Sequence, residues 1–373
     1  METKILEKAY QTATKSNYDN INVNIKQDVD LLIEKIDSNK SILAALVTSL
    51  VKKIANPKQD VRLHRTDFKK GYSARSLDTK ITTPFFKKYF PKYANKESSF
   101  LTLATRERIK WNLREGKNLK IRNKELKASF LNIFNQIETH GVNPKIYLNY
   151  ILFKLIDLTK GNEKIFKSAN KKTAQNERLN IPKILKMLKA HFKTKNSSRL
   201  PVIAIYSIYE TLISSNFNRY KKRKLLPLQV HTSSDKKGYG DIEIYDYKNQ
   251  AFEVIEVKHN IPIDEFLIFD IIKKTKNTPI KRYYILTTFD AGFEDADEQK
   301  KVEELISQIR NQSGLDIIVN GILTTLKYYL RFIDDYQIFI EKYTKNLTED
   351  ARNSTEVRVE HVEAWMKILK NKK

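Results

Sequence analysis

The sequence predicts an α/β (α+β) protein: a mixed β-sheet flanked by helices, preceded by a mostly helical N-terminal domain. Three observations carry this. Residues 240–258 alternate with a period of two, the strand signature. From Leu200 onward the pattern runs helix, hairpin, helix, strand, helix, strand, the order of a sheet with helices on its faces. Before that, apolar residues recur at helical spacing: Ile25, Val29, Leu32, Ile33 and Ile36, then Leu43, Leu46, Val47, Leu50, Val51 and Ile54.

Composition narrows the function classes. At 373 residues the chain is long enough for one large domain or two ordinary ones. Lys and Arg number 69 against 44 Asp and Glu, a formal net charge of +25. An AT-rich coding sequence inflates Lys and Glu alike, so it does not produce this excess. A polyanionic partner does, nucleic acid first and an anionic membrane surface second. No apolar run approaches the roughly 20 residues of a membrane span, and no amphipathic helix with a wholly basic polar face dominates the chain, so no membrane partner is expected. Cysteine is absent, which excludes disulfides, thiol catalysis and Cys-based zinc sites. The N-terminal Met-Glu-Thr-Lys-Ile has no signal-peptide pattern, so a cytoplasmic location is expected.

Taken in order, residues 1–56 read as helices, ended by Asn56-Pro57. Residues 62–111 then interleave basic, hydroxyl and aromatic side chains, a mixture suited to phosphate contact, base-edge hydrogen bonds and stacking. Arg65, Tyr72, Arg75, Lys80, Arg106 and Arg108 are the candidate DNA contacts here. A lone basic loop is usually solvated surface; two adjacent ones in a Lys-rich chain are harder to dismiss. Residues 121–195 return to helices, with Leu131, Ile133, Phe134 and Ile137 as one stripe and Ile146, Leu148, Ile151, Leu152, Leu155 and Ile156 as another. Lys193-Thr-Lys-Asn-Ser-Ser198 reads as a linker, dividing the chain into 1–195, for recognition, and 196–373.

Residues 201–214 read as a helix and 225–230 as a strand. A polar loop follows, 231–240, whose Lys236 and Lys237 suit phosphate contact; His231 in it reads as structural. After the hairpin come a helix over 263–276, a strand over 280–288, a helix over 295–312, a strand over 315–319, one long helix over 321–343, and a basic helix and tail.

The hairpin carries the chemistry. Asp241 and Glu243 face one way, Ile242 and Ile244 the other; Phe252, Val254, Glu256 and Lys258 share a face opposite Ile255 and Val257. A charge on so apolar and β-branched a strand costs several kcal/mol unless it is paired or binds a metal. Paired across the hairpin, Asp241 and Glu256 present two carboxylates to one Mg²⁺, an ion that takes oxygen ligands and keeps several waters. Lys258 points into the same pocket, placed to stabilise a developing phosphorane charge or to help deprotonate the attacking water. The bland reading is an edge hairpin with a solvated charged face and a Glu/Lys ion pair.

The order Gly240-Asp241-Ile-Glu-Ile, turn, Val254-Ile-Glu256-Val-Lys258 resembles the active-site motif of the PD-(D/E)xK nuclease superfamily, with Gly240 where Pro usually stands. Gly71-Tyr-Ser-Ala-Arg-Ser-Leu-Asp-Thr-Lys-Ile-Thr-Thr-Pro-Phe-Phe86, Glu97-Ser-Ser-Phe-Leu-Thr102 and Gly314-Leu-Asp-Ile-Ile-Val-Asn-Gly321 extend the resemblance, toward type II restriction endonucleases of the SacI-like group. The resemblance implies a restriction-endonuclease-like core with Asp241, Glu256 and Lys258 catalytic. It implies Mg²⁺, for which Mn²⁺ can substitute, on Asp241, Glu256 and the Val257 carbonyl. It also implies an acidic residue on the preceding helix that reaches the metal, a place Glu210 fits. The expected substrate is double-stranded DNA with a short, palindromic site, the expected assembly a homodimer, and the expected companion a cognate DNA methyltransferase. Two rivals stand beside it: a structure-directed nuclease of resolvase or repair type, and a catalytically inactive DNA-binding protein of the same fold.

Overall fold

The computed structural model describes residues 1–173, 179–215, 217–228, 238–276, 278 and 280–370. Contacts divide the chain into two units, Met1–Lys164 and Ile165–Lys373. The division falls about thirty residues before the expected linker near 195. The reason is packing: Phe166, Ala169, Ile184, Leu188 and Phe192 are buried in the second unit's core. Residues 193–198 are therefore a turn between two helices of one unit.

The first unit is built around α3 (Ile36–Ala55), which follows α1 (Glu2–Lys15) and α2 (Val23–Glu34). Every residue of α3 from Ile42 to Val51 is buried, as befits a helix apolar on all sides. The stretch between α3 and α6 (Lys124–Glu138) is mostly irregular, holding the short α4 (Ala74–Leu77), a π-helical turn over Asp78–Thr82, α5 (Thr83–Tyr89) and three single 3-10 turns, Pro91–Tyr93, Ser99–Leu101 and Gly116–Asn118. Asp78 organises it. This fully buried carboxylate accepts from Ser98 Oγ at 2.6 Å, from the backbone N–H and Oγ of Ser99 at 2.7 Å each, and more weakly from Thr83 and Thr48 hydroxyls at 3.2 and 3.3 Å. α6 is capped by Asn123, whose side chain accepts from the N–H of Leu126. α7 (Pro144–Thr173) follows, and its expected stripe is buried except for Ile146, which is exposed.

The second unit holds α8 (Ile181–Phe192), α9 (Arg199–Ser214) and a five-stranded sheet. The strands are β1 (Lys224–Leu225), β2 (Ile242–Tyr245), β3 (Ala251–Lys258), β4 (Arg282–Thr287) and β5 (Asp316–Gly321), side by side in chain order. β1, β2 and β3 are antiparallel; β3, β4 and β5 are parallel. Parallel neighbours need crossovers, and α10 (Glu265–Thr275) and α11 (Ala296–Ser313) supply them. Asp264 and Asp295 cap those helices, and Gly314 ends α11 in the left-handed region at φ 75°. Where one long helix is expected over 321–343 there are two, α12 (Ile322–Leu330) and α13 (Tyr336–Asn353), because the Asp335 side chain accepts from the N–H of Gln337 and starts a new helix. α14 (Val359–Lys370) closes the unit. Among the described residues no helix is long and apolar enough to cross a membrane.

The sheet's two faces have different cores. Ile242, Ile244, Ile255, Val257 and Leu286 pack with α8, α9 and α12 to α14. Val254, Tyr283, Ile285 and Ile317 pack with Ile268 and Ile271 of α10 and with Val302 and Ile309 of α11. Phe252 departs from the expected alternation. It joins the first core, its ring under Arg223 at 3.9 Å, because the β2–β3 register slips between Ile244 and Tyr245 and leaves it as the extra residue of a bulge.

Candidate active site

Asp241 immediately precedes β2 and is fixed from both ends. Its backbone N–H donates to the Ile255 carbonyl at 2.9 Å, and its carboxylate Oδ2 accepts from the Val257 N–H at 2.9 Å. Thus a side chain, not a strand, satisfies the Val257 amide, and the Asp241 carboxylate is held against the backbone between Glu256 and Lys258. Gly240 permits the approach. A Cβ there would stand 2.8 Å from the Ile255 carbonyl oxygen and 2.6 Å from Val254 Cγ1. A side chain at this position would force its neighbours or its own backbone to shift.

Glu256 lies in the middle of the sheet, beside Ile285 of β4, and is buried. Lys258 Nζ donates to its Oε1 at 2.8 Å, and Lys274 Nζ of α10 stands 4.0 Å from the same oxygen. The Tyr283 hydroxyl donates to the Tyr239 carbonyl at 2.7 Å and lies 3.4 Å from Glu256 Oε2. Burial, then the negative charges of Glu256 and Asp241, push the Tyr283 phenol well above its ordinary range, so it stays a neutral donor. Glu243 is buried on the same face. Its oxygens accept from the Tyr239 N–H at 2.7 Å and the Tyr245 hydroxyl at 2.9 Å, so it shapes the approach to Asp241.

The donor set is hard: two carboxylates, with the Val257 carbonyl on the residue between Glu256 and Lys258. Among the described residues no three His, Cys, Asp or Glu side chains gather closely enough to enclose a metal. Oxygen donors of this kind are the ligands Mg²⁺ takes, one or two carboxylates with water and substrate oxygens completing its octahedron. Lys258 and Lys274 are the cations now balancing Glu256.

Glu210 does not join this group. Its carboxylate accepts from Asn346 Nδ2 at 2.8 Å and pairs with Lys342 at 3.7 Å, both on α13. The physical reason is the side of the sheet: α9 packs with Ile255 and Val257, whereas Glu256 faces Tyr283 and α10. Lys274 is the residue the sequence reading missed. Its signal was available in the helix after the motif, whose last turn carries Lys273 and Lys274.

No protein-family model and no curated protein matches the chain.

The basic candidates of the first unit separate into groups. Arg65, Arg75 and Arg106 line one cleft of about 380 Å³. Arg108 stands outside its lining and pairs with Asp67 at 3.5 Å, the same carboxylate that Arg65 grips through two bonds of 3.0 Å. Lys80 is exposed on the π-helical turn. Tyr72 is not a DNA contact: it is buried, its hydroxyl donates to Ser49 Oγ at 3.2 Å, and burial raises its phenol pKa. Its neighbours decide this, since its backbone N–H is tied to the Leu63 carbonyl and the ring is drawn into the core around α3. Lys236, Lys237 and His231 lie outside the described residues.

Proposed function

We propose that this chain is a Mg²⁺-dependent DNA endonuclease, of type II restriction character, with Asp241, Glu256 and Lys258 as its catalytic group. The observation that supports it most is the Asp241 carboxylate bonded to the Val257 N–H, the backbone group between Glu256 and Lys258, at a partly buried position. An edge hairpin with a solvated face would leave these groups in water; here Glu256 is buried in the sheet.

Asp241 and Glu256, with the Val257 carbonyl, would hold the ion. Bound there, Mg²⁺ supplies a Lewis acid for the phosphate and lowers the pKa of a bound water. Hydrolysis forms a bond from water oxygen to phosphorus and breaks the bond to O3′, leaving a 5′-phosphate and a 3′-hydroxyl. Lys258 sits at the Glu256 edge of the pocket, where its Nζ can orient the attacking water. Lys274, at 4.0 Å from Glu256, adds a second positive charge opposite the developing negative charge on the phosphate. The Tyr283 hydroxyl keeps the Tyr239–Glu256 side of the pocket in place. The +25 charge accounts for affinity toward a duplex. A palindromic site would be read by a twofold pair of chains, with a methyltransferase guarding the same site in the host.

Two variants test this. Asp241→Ala and Lys258→Ala should abolish cleavage while duplex binding in EDTA persists, because they remove chemistry and not the phosphate-contact surface. If either variant, still folded, cuts at the wild-type rate, the hairpin is not the catalytic site.

A further inference from the structure

The cleft in the first unit contains an unusual residue that the hydrolytic site does not use. His64 is 2% exposed, and neither ring nitrogen makes a hydrogen bond of good geometry, although backbone groups of Arg62, Glu107 and Thr105 stand close enough to favour its charged form. Burial pulls its pKa down to about 4, so the imidazole is neutral and carries one donor and one acceptor. The ring is stacked on Trp111, with centroids 4.0 Å apart and planes 12° from parallel, and the Trp111 indole N–H is also buried without a partner. Native interiors rarely leave such groups orphaned; an orphan that lines a cleft is a place where a ligand supplies the missing bond.

The charges around it point the same way. Arg75 and Arg106 line the cleft and are exposed, and among the described residues neither guanidinium is paired with a carboxylate or a hydrogen-bond acceptor. Arg65 is already oriented by Asp67, which leaves the lining with three guanidiniums against one carboxylate. Ser73 and Thr105 add hydroxyls. The walls are stiff, because Thr105 Oγ1 donates to the Ser99 carbonyl at 2.6 Å and Ser99 is itself tied to the buried Asp78. Guanidiniums free of a carboxylate partner, beside a neutral imidazole, match the planar forks and single donors that grip a phosphate. A cleft of about 380 Å³ has room for more than a bare phosphate ion.

We propose that this cleft seats one nucleotide unit by its phosphate, with Arg75 and Arg106 forking the phosphate oxygens and the His64 ring supplying the buried hydrogen bond. It rests on the nucleic-acid reading above where the nucleotide belongs to a DNA strand. A free mononucleotide has the same chemistry, and the two sources can be told apart.

The chain has two tryptophans, and Trp111, itself buried, stacks on His64, which lines the cleft, so its emission reports occupancy through that ring. The full chain in EDTA is titrated with deoxyadenosine 5′-monophosphate, with inorganic phosphate and with deoxyadenosine. A labelled duplex is followed in parallel by anisotropy. The expected result is a saturable emission change with the monophosphate, a weaker one with phosphate and none with the nucleoside. Arg75→Ala and Arg106→Ala should each weaken the response about tenfold and lower the salt slope of duplex binding by about one. Both positions are exposed, so the fold is spared, and unchanged ligand-free Trp111 emission verifies it. His64→Phe keeps the stack, removes the nitrogens and should lose the same binding. If no nucleotide changes the emission and the arginine variants bind duplex with wild-type affinity and slope, the cleft is not a nucleotide site, even where cleavage proves normal. If the monophosphate titrates but the wild-type chain ignores duplex, the cleft binds free nucleotide, and the DNA reading falls instead.

Discussion

Replacing Gly240 with alanine perturbs the candidate catalytic centre without touching a charged group. The added Cβ would meet the Ile255 carbonyl oxygen at 2.8 Å and Val254 Cγ1 at 2.6 Å, both closer than real Cβ contacts allow. Val254 is fully buried against α10 and α11 and has little room to turn away. The backbone at 240–241 must therefore move by several tenths of an ångström, away from the Ile255 carbonyl that accepts the Asp241 N–H at 2.9 Å. Overpacking of this kind costs about 1–3 kcal/mol of stability. Catalytic groups need placement within about 0.5 Å, and a shift approaching 1 Å costs roughly 100-fold in rate, so Mg²⁺-dependent cleavage should fall about 10- to 100-fold. Duplex binding in EDTA should not change. Urea denaturation and single-turnover cleavage measure the two effects. A Gly240→Ala chain with wild-type stability and rate would refute the claim that this close approach sets the Asp241 carboxylate.

Other consequences follow from buried polar groups. Asp78→Ala orphans the donors of Ser98 and Ser99 and should cost at least about 3 kcal/mol in urea denaturation. The buried His191 is held neutral, between the Tyr343 hydroxyl at 2.8 Å and the His361 carbonyl at 2.9 Å, with its pKa pulled down to about 3 by burial. Its folded pKa lies below the unfolded value of about 6.5, so the unfolded state binds the proton first. Stability is full above that value and is lost as pH falls toward 3. Between pH 6.5 and 5 the second unit should lose about 2 kcal/mol through this group, and Trp365, stacked on His191 at 5.2 Å, reports the transition. His64 imposes the same sign on the first unit over a window from about 6.5 to 4, read by Trp111. His191→Asn should flatten the acid slope of the second unit. Finally, log affinity for duplex should fall steeply and linearly with log salt; a flat response would count against a nucleic-acid partner.

Strands β2 to β5 were legible because their residues are chosen by position; the strand expected over 225–230 is instead the short Lys224–Leu225, with 226–228 outside it. Alternation in β2 and β3 is a local signal, and local signals survive folding. What escaped depends on what lies across the chain. Phe252 shifts to the other face because of a bulge that no spacing announces. Tyr72 reads as a stacking residue until α3 supplies the core that buries it. Glu210 sits at a plausible distance ahead of the hairpin, but the face α9 presents to the sheet is fixed by tertiary packing, and its carboxylate is taken up by Asn346 and Lys342. Lys274 and His64 draw their interest from neighbours 18 and 47 residues away in sequence, Glu256 and Trp111. The boundary at 164–165 was obscured because it falls inside α7, whereas the segment that reads as a linker, 193–198, lies between helices that carry buried Leu188 and Leu200.

The central claim is that Asp241, Glu256 and Lys258 form a Mg²⁺-dependent site that cuts DNA at a defined sequence. Its most direct test is digestion of a long, unmethylated DNA by the purified chain, with Mg²⁺ and with EDTA, beside the Lys258→Ala variant. Discrete fragments from the wild-type chain in Mg²⁺ alone, ending in 5′-phosphates, and intact DNA with the variant are the predicted result. A smear in Mg²⁺ would contradict site specificity, and intact DNA in every lane, with duplex still bound, would contradict catalysis altogether.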